Sequence, residues 1–383
     1  MKVLMVSKSQ VLGAYHGKLR SLAKLGIDLT VITPPRWGKD KLEIRNTAGY
    51  RLRVLPCLLS GYTHFHFYTA PIGPIEADLV HIEEEPWSLV TYQFMRRCVS
   101  SKKPVVFFTW QNINKKYPPP FAYFERYTFA HAGAAIAGNV DARKILEKRG
   151  FSKPITIIPQ LGIDTGLFRK RDVFELRGKL AIANDSFIIG YVGRIVEAKG
   201  IADLVHAFAL LPESCTLVLV GEGEFLISAK QLVQRLGVSS RVRWIPRVLS
   251  LEIPQYMNLF HALVLPSRTT PRWKEQFGHV LIEAMSSETP PVGSSSGEIP
   301  NVIGDAGLVF REGDVADLAA SLRVLLEEPG YRASLGSKAR NRVLKKFTDD
   351  RIAEETVRVY EQTLGSFSRQ KDLRLGISEQ RYY

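Results

Sequence analysis

The sequence predicts an α/β protein with two doubly wound, Rossmann-like domains that face each other across a cleft. Short apolar strands alternate with helices along both halves of the 383-residue chain. This alternation is typical of a parallel sheet covered by helices on both faces. The alternation stops in residues 159–185, which mix glycine, proline and charge without periodicity, and then restarts. The chain is also long enough to bury two sizeable cores.

The first half is predicted to form an N-terminal domain, residues 1–165. Buried apolar runs predict its strands, and amphipathic runs ended by glycine predict its helices. The predicted strands are 3–7, 29–33, 51–55, 79–82, 105–109, 133–137 and 155–158, and the predicted helices are 17–25, 87–99, 121–131 and 140–148.

The second half is predicted to form a C-terminal domain, residues 166–348. A helix is expected from about 277, followed by a small-residue loop at 293–297. The other predicted strands are 187–192, 216–220, 242–245, 262–265 and 307–310, and the other helices are 200–210, 226–236, 253–258, 315–327 and 331–346. A last helix is predicted at about 350–365, and 366–383 is predicted to be a polar tail.

The composition favours anionic partners. The formal charge is +14 and the pI is about 9.6, yet no recognisable nucleic-acid module accompanies the charge. We therefore expect no nucleic-acid partner and consider an anionic membrane surface as a candidate partner, beside the interpretation of solvated helix faces. Three widely separated cysteines and no run of about 18 apolar residues predict a cytoplasmic protein, with peripheral contact at the inner face of a membrane as an extension.

The first motif that carries chemistry is GRIVEAKG, which runs from Gly193 to Gly200 directly after a predicted strand. The Arg194 guanidinium offers a planar fork suited to phosphate, and Lys199 offers a point charge. Together they are candidates to neutralise a diphosphate. The alternative is a strand-to-helix turn with two solvated cations.

The second motif follows the predicted strand 262–265. Backbone amides at Phe277, Gly278 and His279 are expected to face a phosphate at a helix N-terminus, where the dipole favours anions. A carboxylate at that place would repel phosphate, so Glu275 and Glu283 are predicted to bind hydroxyl groups of a sugar or ribose. The alternative is a capping Glu275 and an exposed helical Glu283.

A third candidate lies in the N-terminal half. HIEEE, residues 81–85, is expected at the carboxyl end of a strand. His81 and Glu83 are therefore candidates for the acceptor side of the cleft, because ligands of doubly wound folds sit at strand carboxyl ends. The alternative is an acidic loop that caps the helix after Pro86.

These motifs carry a family resemblance. GRIVEAKG, GEGEF, and EQFGHVLIEAM followed by GSSSGEIPNVI resemble the retaining glycosyltransferases of family 4, also called glycosyl transferases group 1. The likeness is most specific from about 187 to 311. It implies the GT-B architecture of two Rossmann domains, with the last helix crossing back to brace the N-terminal domain.

The resemblance implies a role for each matching residue. Arg194 and Lys199, after Gly193, would bind the diphosphate and act with Glu275 as the catalytic set. Glu275 would contact the donor sugar and Glu283 the ribose. The remaining donor contacts would be Phe277, Gly278, His279, and the segment Trp244 to Arg247 for the nucleobase. Gln111 stands where many members have a histidine, and it is a third acceptor-side candidate.

The resemblance also implies a mechanism and partners. A sugar would pass with retention from a nucleotide-diphosphate sugar to a glycan, lipid-linked or small-molecule acceptor, as in polysaccharide biosynthesis. No protein nucleophile is expected. No cofactor is expected either, and because no DxD-type motif is present, no metal is expected to be required.

Three other classes compete with the hexosyltransferase interpretation. A nicotinamide oxidoreductase would need G-x-G-x-x-G after the first strand of one half, and neither half has it. A GT-B sugar-nucleotide epimerase would release no glycoside. A non-catalytic sugar-nucleotide or glycan-binding protein is disfavoured by the presence of all four of Arg194, Lys199, Glu275 and Glu283.

Overall fold

A computed structural model of the chain describes residues 1–44 and 47–374. The chain divides into two compact units. The first unit contains Met1–Gly162 together with the chain from Asp349 onward, and the second contains Ile163–Thr348. The change of unit therefore falls inside the irregular stretch 159–185, close to the predicted boundary at 165.

The first unit opens with alternating strands and helices. Its strands are β1 (Lys2–Val6), β2 (Asp28–Thr33), β3 (Arg36–Trp37), β4 (Asp40–Lys41), β5 (Tyr50–Val54), β6 (Cys57–Leu58), β7 (Phe67–Tyr68), β8 (Leu79–Ile82), β9 (Val105–Thr109), β10 (Ala134–Ala137) and β11 (Ile155–Ile157). Its helices in this part are α1 (Gly17–Lys24), α2 (Leu89–Ser100), α3 (Phe121–His131) and α4 (Val140–Lys148). The sequence does not predict the antiparallel hairpins β3–β4 and β6–β7, because two-residue strands are too short to show alternation.

Seven of these strands form one parallel sheet in the order β11-β10-β9-β8-β1-β2-β5. Every residue of β8, β9 and β10 is buried, as expected for strands covered on both faces. Since all the strands are parallel, their carboxyl ends lie along one edge of the sheet.

The second unit repeats the same plan. Its helices are α5 (Phe174–Lys179), α6 (Ile201–Ala209), α7 (Leu226–Arg235), α8 (Ile253–Leu259), α9 (His279–Ser286), α10 (Ile299–Ile303), α11 (Val315–Glu327) and α12 (Pro329–Lys346). Its strands are β12 (Phe187–Val192), β13 (Cys215–Val220), β14 (Val242–Ile245), β15 (Ala262–Leu265), β16 (Pro291–Ser294) and β17 (Leu308–Phe310). They form a parallel sheet in the order β14-β13-β12-β15-β16-β17.

The prediction of a loop at 293–297 is partly wrong. Gly293 and Ser294 complete β16, a fully buried strand between β15 and β17. The residues Pro-Val-Gly-Ser have little intrinsic strand preference, and the position between two strands decides their conformation. Proline is tolerated because it is the first residue of the strand.

The last helix, α13 (Asp349–Arg374), belongs to the first unit and is longer than predicted. Its Ile352 and Tyr360 lie in the same buried cluster as Val3 and Leu19, on one face of the seven-stranded sheet. Residues 366–374 of the predicted polar tail continue this helix, and 375–383 lie outside the described residues. No helix among the described residues is both long and apolar enough to cross a membrane.

Candidate functional site

The carboxyl ends of three strands meet at one place in the second unit. β12 is paired with β13 on one side and β15 on the other, so the segments that follow these strands are neighbours. The segment after β12 carries Arg194 and Lys199, and the segment after β15 leads to Glu275. The two motifs, 76 positions apart in the sequence, are thus brought together by the sheet.

The loop after β12 is held so that Arg194 points outward. The hydroxyl of Tyr191, a buried residue of β12, donates a hydrogen bond of 2.6 Å to the Arg194 carbonyl oxygen. The Arg194 side chain is exposed and forms no ion pair with any side chain that the structure describes. Its guanidinium is therefore available to an anionic ligand.

Lys199 and Glu275 form an ion pair at the centre of this place. The Lys199 Nζ lies 2.5 Å from the Glu275 Oε2, and the side chains are 15% and 10% exposed. The buried hydroxyl of Ser267 donates a second hydrogen bond, of 2.7 Å, to the same oxygen. The Glu275 side chain is thereby held in a fixed position, and the pair still reaches the surface.

An indole covers the same lysine. The Lys199 Nζ lies 4.9 Å from the centre of the Trp273 ring, within the range of a cation–π interaction. A tight turn presents the indole, because Thr270 N–H donates to the Trp273 carbonyl (2.7 Å) and Trp273 N–H donates to the Thr270 hydroxyl (2.9 Å). Trp273 is therefore part of the site.

The N-terminus of α9 lies immediately after Glu275. Gly278 caps this helix with φ of +78°, a left-handed conformation that favours glycine. One turn into the helix, Glu283 Oε1 lies 3.2 Å from the Nδ1 of His279, so both side chains share one partly exposed helix face. The Phe277 ring is instead buried, 5.7 Å from the ring of Phe347. The donor-contact role of the Phe277 backbone stays a prediction.

The loop after β16 supports the backbone of Glu275. Glu298 N–H donates to the Glu275 carbonyl oxygen at 3.2 Å. Gly297 has φ of +56°, and a Cβ at this residue would lie 2.0 Å from that same oxygen. The close approach of the two loops therefore requires glycine at 297.

The predicted nucleobase segment lies on the far side of β13. Trp244 is a partly exposed residue of β14, and the Nζ of Lys230 lies 5.8 Å from its ring. Arg247 is exposed in the loop that follows this strand. Both residues lie at the carboxyl edge of the six-stranded sheet, as does the Lys199–Glu275 pair.

The structure buries the side chains of His81 and Glu83, and their acceptor-side role stays a prediction. His81 lies inside β8, fully buried, and its Nδ1 is 2.7 Å from the hydroxyl of Tyr360 in α13. Burial lowers the pKa of His81 to about 3. Glu83 is also buried and forms an ion pair with buried Lys18. His81 lies within a strand that is buried throughout, and Glu83 lies one residue beyond its end.

The other polar groups at this edge are also bound within the first unit. Glu84 pairs with Lys8, while Glu85 accepts bonds from the Thr109 hydroxyl (2.6 Å) and the Trp110 N–H (3.0 Å). Burial raises the pKa of Glu85. The Gln111 amide, largely buried, donates to the Ile113 carbonyl at 3.2 Å. The acceptor role of Gln111 stays a prediction.

Sequence reasoning missed Ser267 and Trp273. Ser267 follows β15 by two residues, a position at a strand carboxyl end that could have marked it. The sequence assigns no role to Trp273, because only the fold of the Thr270–Trp273 turn places its ring beside Lys199.

The fold defines the class of protein. The solved sucrose-phosphate synthase (tll1590) from Thermosynechococcus elongatus superposes with a TM-score of 0.74 over 96% of this chain and 100% of its own, at 20% identity. Anabaena Alr3699/HepE in complex with UDP gives a TM-score of 0.73 over 94% of this chain and 100% of its own, also at 20% identity. These likenesses show the fold, which is GT-B with two Rossmann-like units.

The family follows from the sequence of the second unit. Residues 172–342 match the family model of glycosyl transferases group 1. The resemblance expected from the motifs is thus confirmed. The N-acetyl-alpha-D-glucosaminyl L-malate synthase of Bacillus anthracis is 29% identical over 202 residues. That alignment covers 52% of this chain and spans about half of the relative, 51% of its length.

Proposed function

We propose that the protein is a retaining glycosyltransferase that moves a sugar from a nucleotide-diphosphate sugar to an acceptor hydroxyl. One observation carries the proposal: the Lys199–Glu275 ion pair lies beside the exposed Arg194 and before the N-terminus of α9. Cations and a helix N-terminus suit a diphosphate, and a fixed carboxylate suits sugar hydroxyls. This set of groups matches a donor that contains both a diphosphate and a sugar.

Each group has a proposed task in donor binding. Arg194 and Lys199 neutralise the diphosphate, with the α9 dipole adding to the field. Glu275, which Lys199 and Ser267 hold in place, accepts hydrogen bonds from sugar hydroxyls. Glu283 accepts bonds from the ribose hydroxyls. Trp244 and Arg247 flank the nucleobase.

The proposed reaction needs no protein nucleophile. The bond between the anomeric carbon and the diphosphate breaks, and a bond from the same carbon to the acceptor oxygen forms on the same face. The acceptor proton passes to a phosphate oxygen of the leaving diphosphate. Arg194 and Lys199 stabilise the negative charge that develops on that group, so the protein contributes electrostatic stabilisation and a held geometry.

The relatives suggest which substrates to test first. The HepE structure holds UDP, so uridine is the first base to examine. The Bacillus anthracis relative is named for the transfer of an N-acetylglucosaminyl group to a small acid, and a Staphylococcus aureus relative is named for capsular polysaccharide biosynthesis. We propose a glycan, lipid-linked or small-molecule acceptor and a cytoplasmic location at the inner face of a membrane.

A donor panel tests this function. UDP-, GDP- and ADP-sugars are scored for nucleotide release with and without lipid-phosphate and glycan acceptors, with chelator present to test the expectation that no metal is needed. We expect acceptor-dependent release from one donor class and retained configuration in the product.

Glu275→Ala should lower kcat/KM by about 100-fold or more. Glu327→Ala, which removes an exposed carboxylate of α11, is the matched control and should be neutral. Nucleotide release from none of the donors, with any acceptor, would refute the proposal.

A further inference from the structure

An exposed apolar tip stands out on the first unit. Four large apolar side chains within residues 58–65 are about half exposed or more: Leu58 (54%), Leu59 (52%), Tyr62 (66%) and Phe65 (49%). They occupy the β6–β7 hairpin and its connection. A soluble surface carries such residues singly, so a cluster of this kind indicates an interaction site.

The tip is an ordered structure rather than a loose loop. Its turn is closed by bonds from Tyr62 N–H to the Leu59 carbonyl (3.0 Å) and from Phe65 N–H to the Tyr62 carbonyl (3.1 Å). The Phe65 ring also lies 5.0 Å from the ring of Phe121 in α3. The fold therefore holds these apolar groups at the surface. The conformational entropy of the tip is already lost on folding, before any partner binds.

Cations surround the tip on two neighbouring segments. The hydroxyl of Ser60, within the tip, donates to the Arg36 carbonyl at 2.7 Å and so fixes the tip against the β3–β4 hairpin. His64 lies 6.2 Å, ring to ring, from Tyr117 on the other side. The exposed cations on these segments are Arg36, Lys39, Lys41, Lys115 and Lys116. The acidic residues on the first segment and just after it are Asp40 and Glu43, and both have partners.

We propose that residues 58–65, with these five cations, form a docking surface for an anionic lipid bilayer. Tyrosine and phenylalanine side chains are suited to the boundary between headgroups and acyl chains. Lysine and arginine beside them attract anionic headgroups. In a bilayer, anionic headgroups lie next to apolar acyl chains. An apolar tip with cations around it matches this arrangement.

The docking surface is linked to the carboxyl end of the seven-stranded sheet. The Trp37 ring of β3 packs 4.6 Å from the ring of His66, at the base of the tip. The Nζ of Lys8, just after β1, lies 5.2 Å from that Trp37 ring. A bilayer at the tip would therefore be close to the strand ends of this unit. If the proposed transferase activity holds, the acceptor is lipid-linked; this last step rests on the proposed function.

Vesicle co-sedimentation tests the surface. The probes are neutral phosphatidylcholine vesicles and vesicles with phosphatidylglycerol added, at low and high salt. The full chain is expected to bind the anionic vesicles more tightly, and less so as salt rises. Leu59→Ser/Tyr62→Ser/Phe65→Ser should weaken binding about tenfold. Lys115→Gln/Lys116→Gln should weaken it about fivefold for each cation removed.

A matched control distinguishes binding through this surface from non-specific binding by exposed apolar side chains. Phe174 and Ile227 are each 72% exposed on the second unit, and Phe174→Ser/Ile227→Ser should bind vesicles as the unchanged protein does. Equal binding by the tip variant and this control would overturn the proposal, as would binding that ignores anionic lipid. Absence of vesicle binding by the unchanged protein at low salt would also overturn it and would favour a protein partner.

Failure of the surface and failure of the function give different results. Nucleotide release from a soluble donor is measured on the same preparations, with a lipid-linked acceptor dispersed in detergent and no vesicles present. The tip variant should retain this release, because none of its residues belongs to the proposed donor site. Retained release without any vesicle binding would refute the surface alone. Vesicle binding without release from any donor would refute the proposed function and leave the surface supported.

Discussion

The two sheets carry ion pairs at equivalent places, and the pairs differ in what can reach them. In the first unit Lys18 and Glu83 meet beside the strand carboxyl ends with side chains 3% and 0% exposed. In the second unit Lys199 and Glu275 meet at the corresponding edge with 15% and 10% exposed. The segment that carries Lys199 also carries Arg194, whose exposed side chain forms no ion pair among the residues that the structure describes.

Under the proposed function, the first pair serves stability and the second pair serves ligand binding. A buried pair costs desolvation that its partners must offset, so it is poorly suited to exchange partners with a ligand. A pair at the surface of a strand-end loop can change partners at small cost. The comparison explains why charged residues at strand ends in the sequence could not by themselves be sorted into core and site.

Breaking the buried pair should give the largest effect. Glu83→Gln leaves the Lys18 ammonium buried without its counter-charge, which typically costs about 3–5 kcal/mol. We expect a loss of this size in the apparent free energy of unfolding of the first unit, measured by urea denaturation. A loss below about 1 kcal/mol would contradict the structural role.

Two further variants sharpen that result. Glu147→Gln removes half of the exposed Arg143–Glu147 pair, whose side chains are 49% and 50% exposed, and should cost less than about 0.5 kcal/mol. The double variant Lys18→Met/Glu83→Leu removes both charges and should recover most of the stability that Glu83→Gln loses.

The bond that positions Glu275 should have an intermediate effect, and on activity. Ser267→Ala removes the hydroxyl that donates to the Glu275 Oε2. Hydrogen bonds to charged groups contribute about 1.5–3 kcal/mol, so kcat/KM should fall about 10- to 100-fold. Ser267 is a positioning residue, and the fall should appear chiefly in kcat. Unchanged kcat/KM would show that Glu275 is held well enough by Lys199 alone.

A further effect is the pH dependence of stability that His81 contributes. The pKa of His81 is about 3 in the folded protein, well below its ordinary value of 6.5. Below pH 6.5, His81 becomes protonated in the unfolded chain but stays neutral in the folded protein. The free energy of unfolding is therefore unaffected by His81 above pH 6.5 and decreases as the pH falls below that value. The loss approaches about 1.4 kcal/mol per pH unit.

A variant isolates this contribution. His81→Gln keeps a hydrogen-bonding side chain near Tyr360 and cannot titrate, so its stability should fall less between pH 6.5 and 5 than that of the unchanged protein. His261 of the second unit, whose pKa burial lowers to about 4, remains in both proteins and cancels in the comparison. Parallel pH profiles from urea denaturation would contradict the assignment.

Much of the fold was predictable because local patterns and burial agree. The run Ala262–Leu265 is apolar throughout and is β15, and the Asp314 side chain accepts from Asp317 N–H as the cap of α11. β16 could not be predicted, because Pro-Val-Gly-Ser becomes a strand only between two others. The extension of α13 to Arg374 was missed because a polar helix end has no apolar periodicity to mark it.

The candidate site was predictable where the fold places a motif at a strand end. Arg194, Lys199 and Glu275 follow β12 and β15 directly, and the pairing of those strands brings them together. The burial of His81 was not predictable, since its partner Tyr360 is 279 positions away in the sequence. The contact of Trp273 with Lys199 likewise depends on a turn whose shape the residue types do not specify.

The most direct test is calorimetric binding of UDP, GDP and ADP to the full chain and to Arg194→Met and Lys199→Met. Binding of a nucleoside diphosphate at the carboxyl edge of the second unit is the central claim. We expect one diphosphate to bind the unchanged protein, and each variant to bind it at least about tenfold more weakly with little change in the unfolding of the first unit. Equal affinity in all three proteins, or no binding to any of them, would contradict the claim.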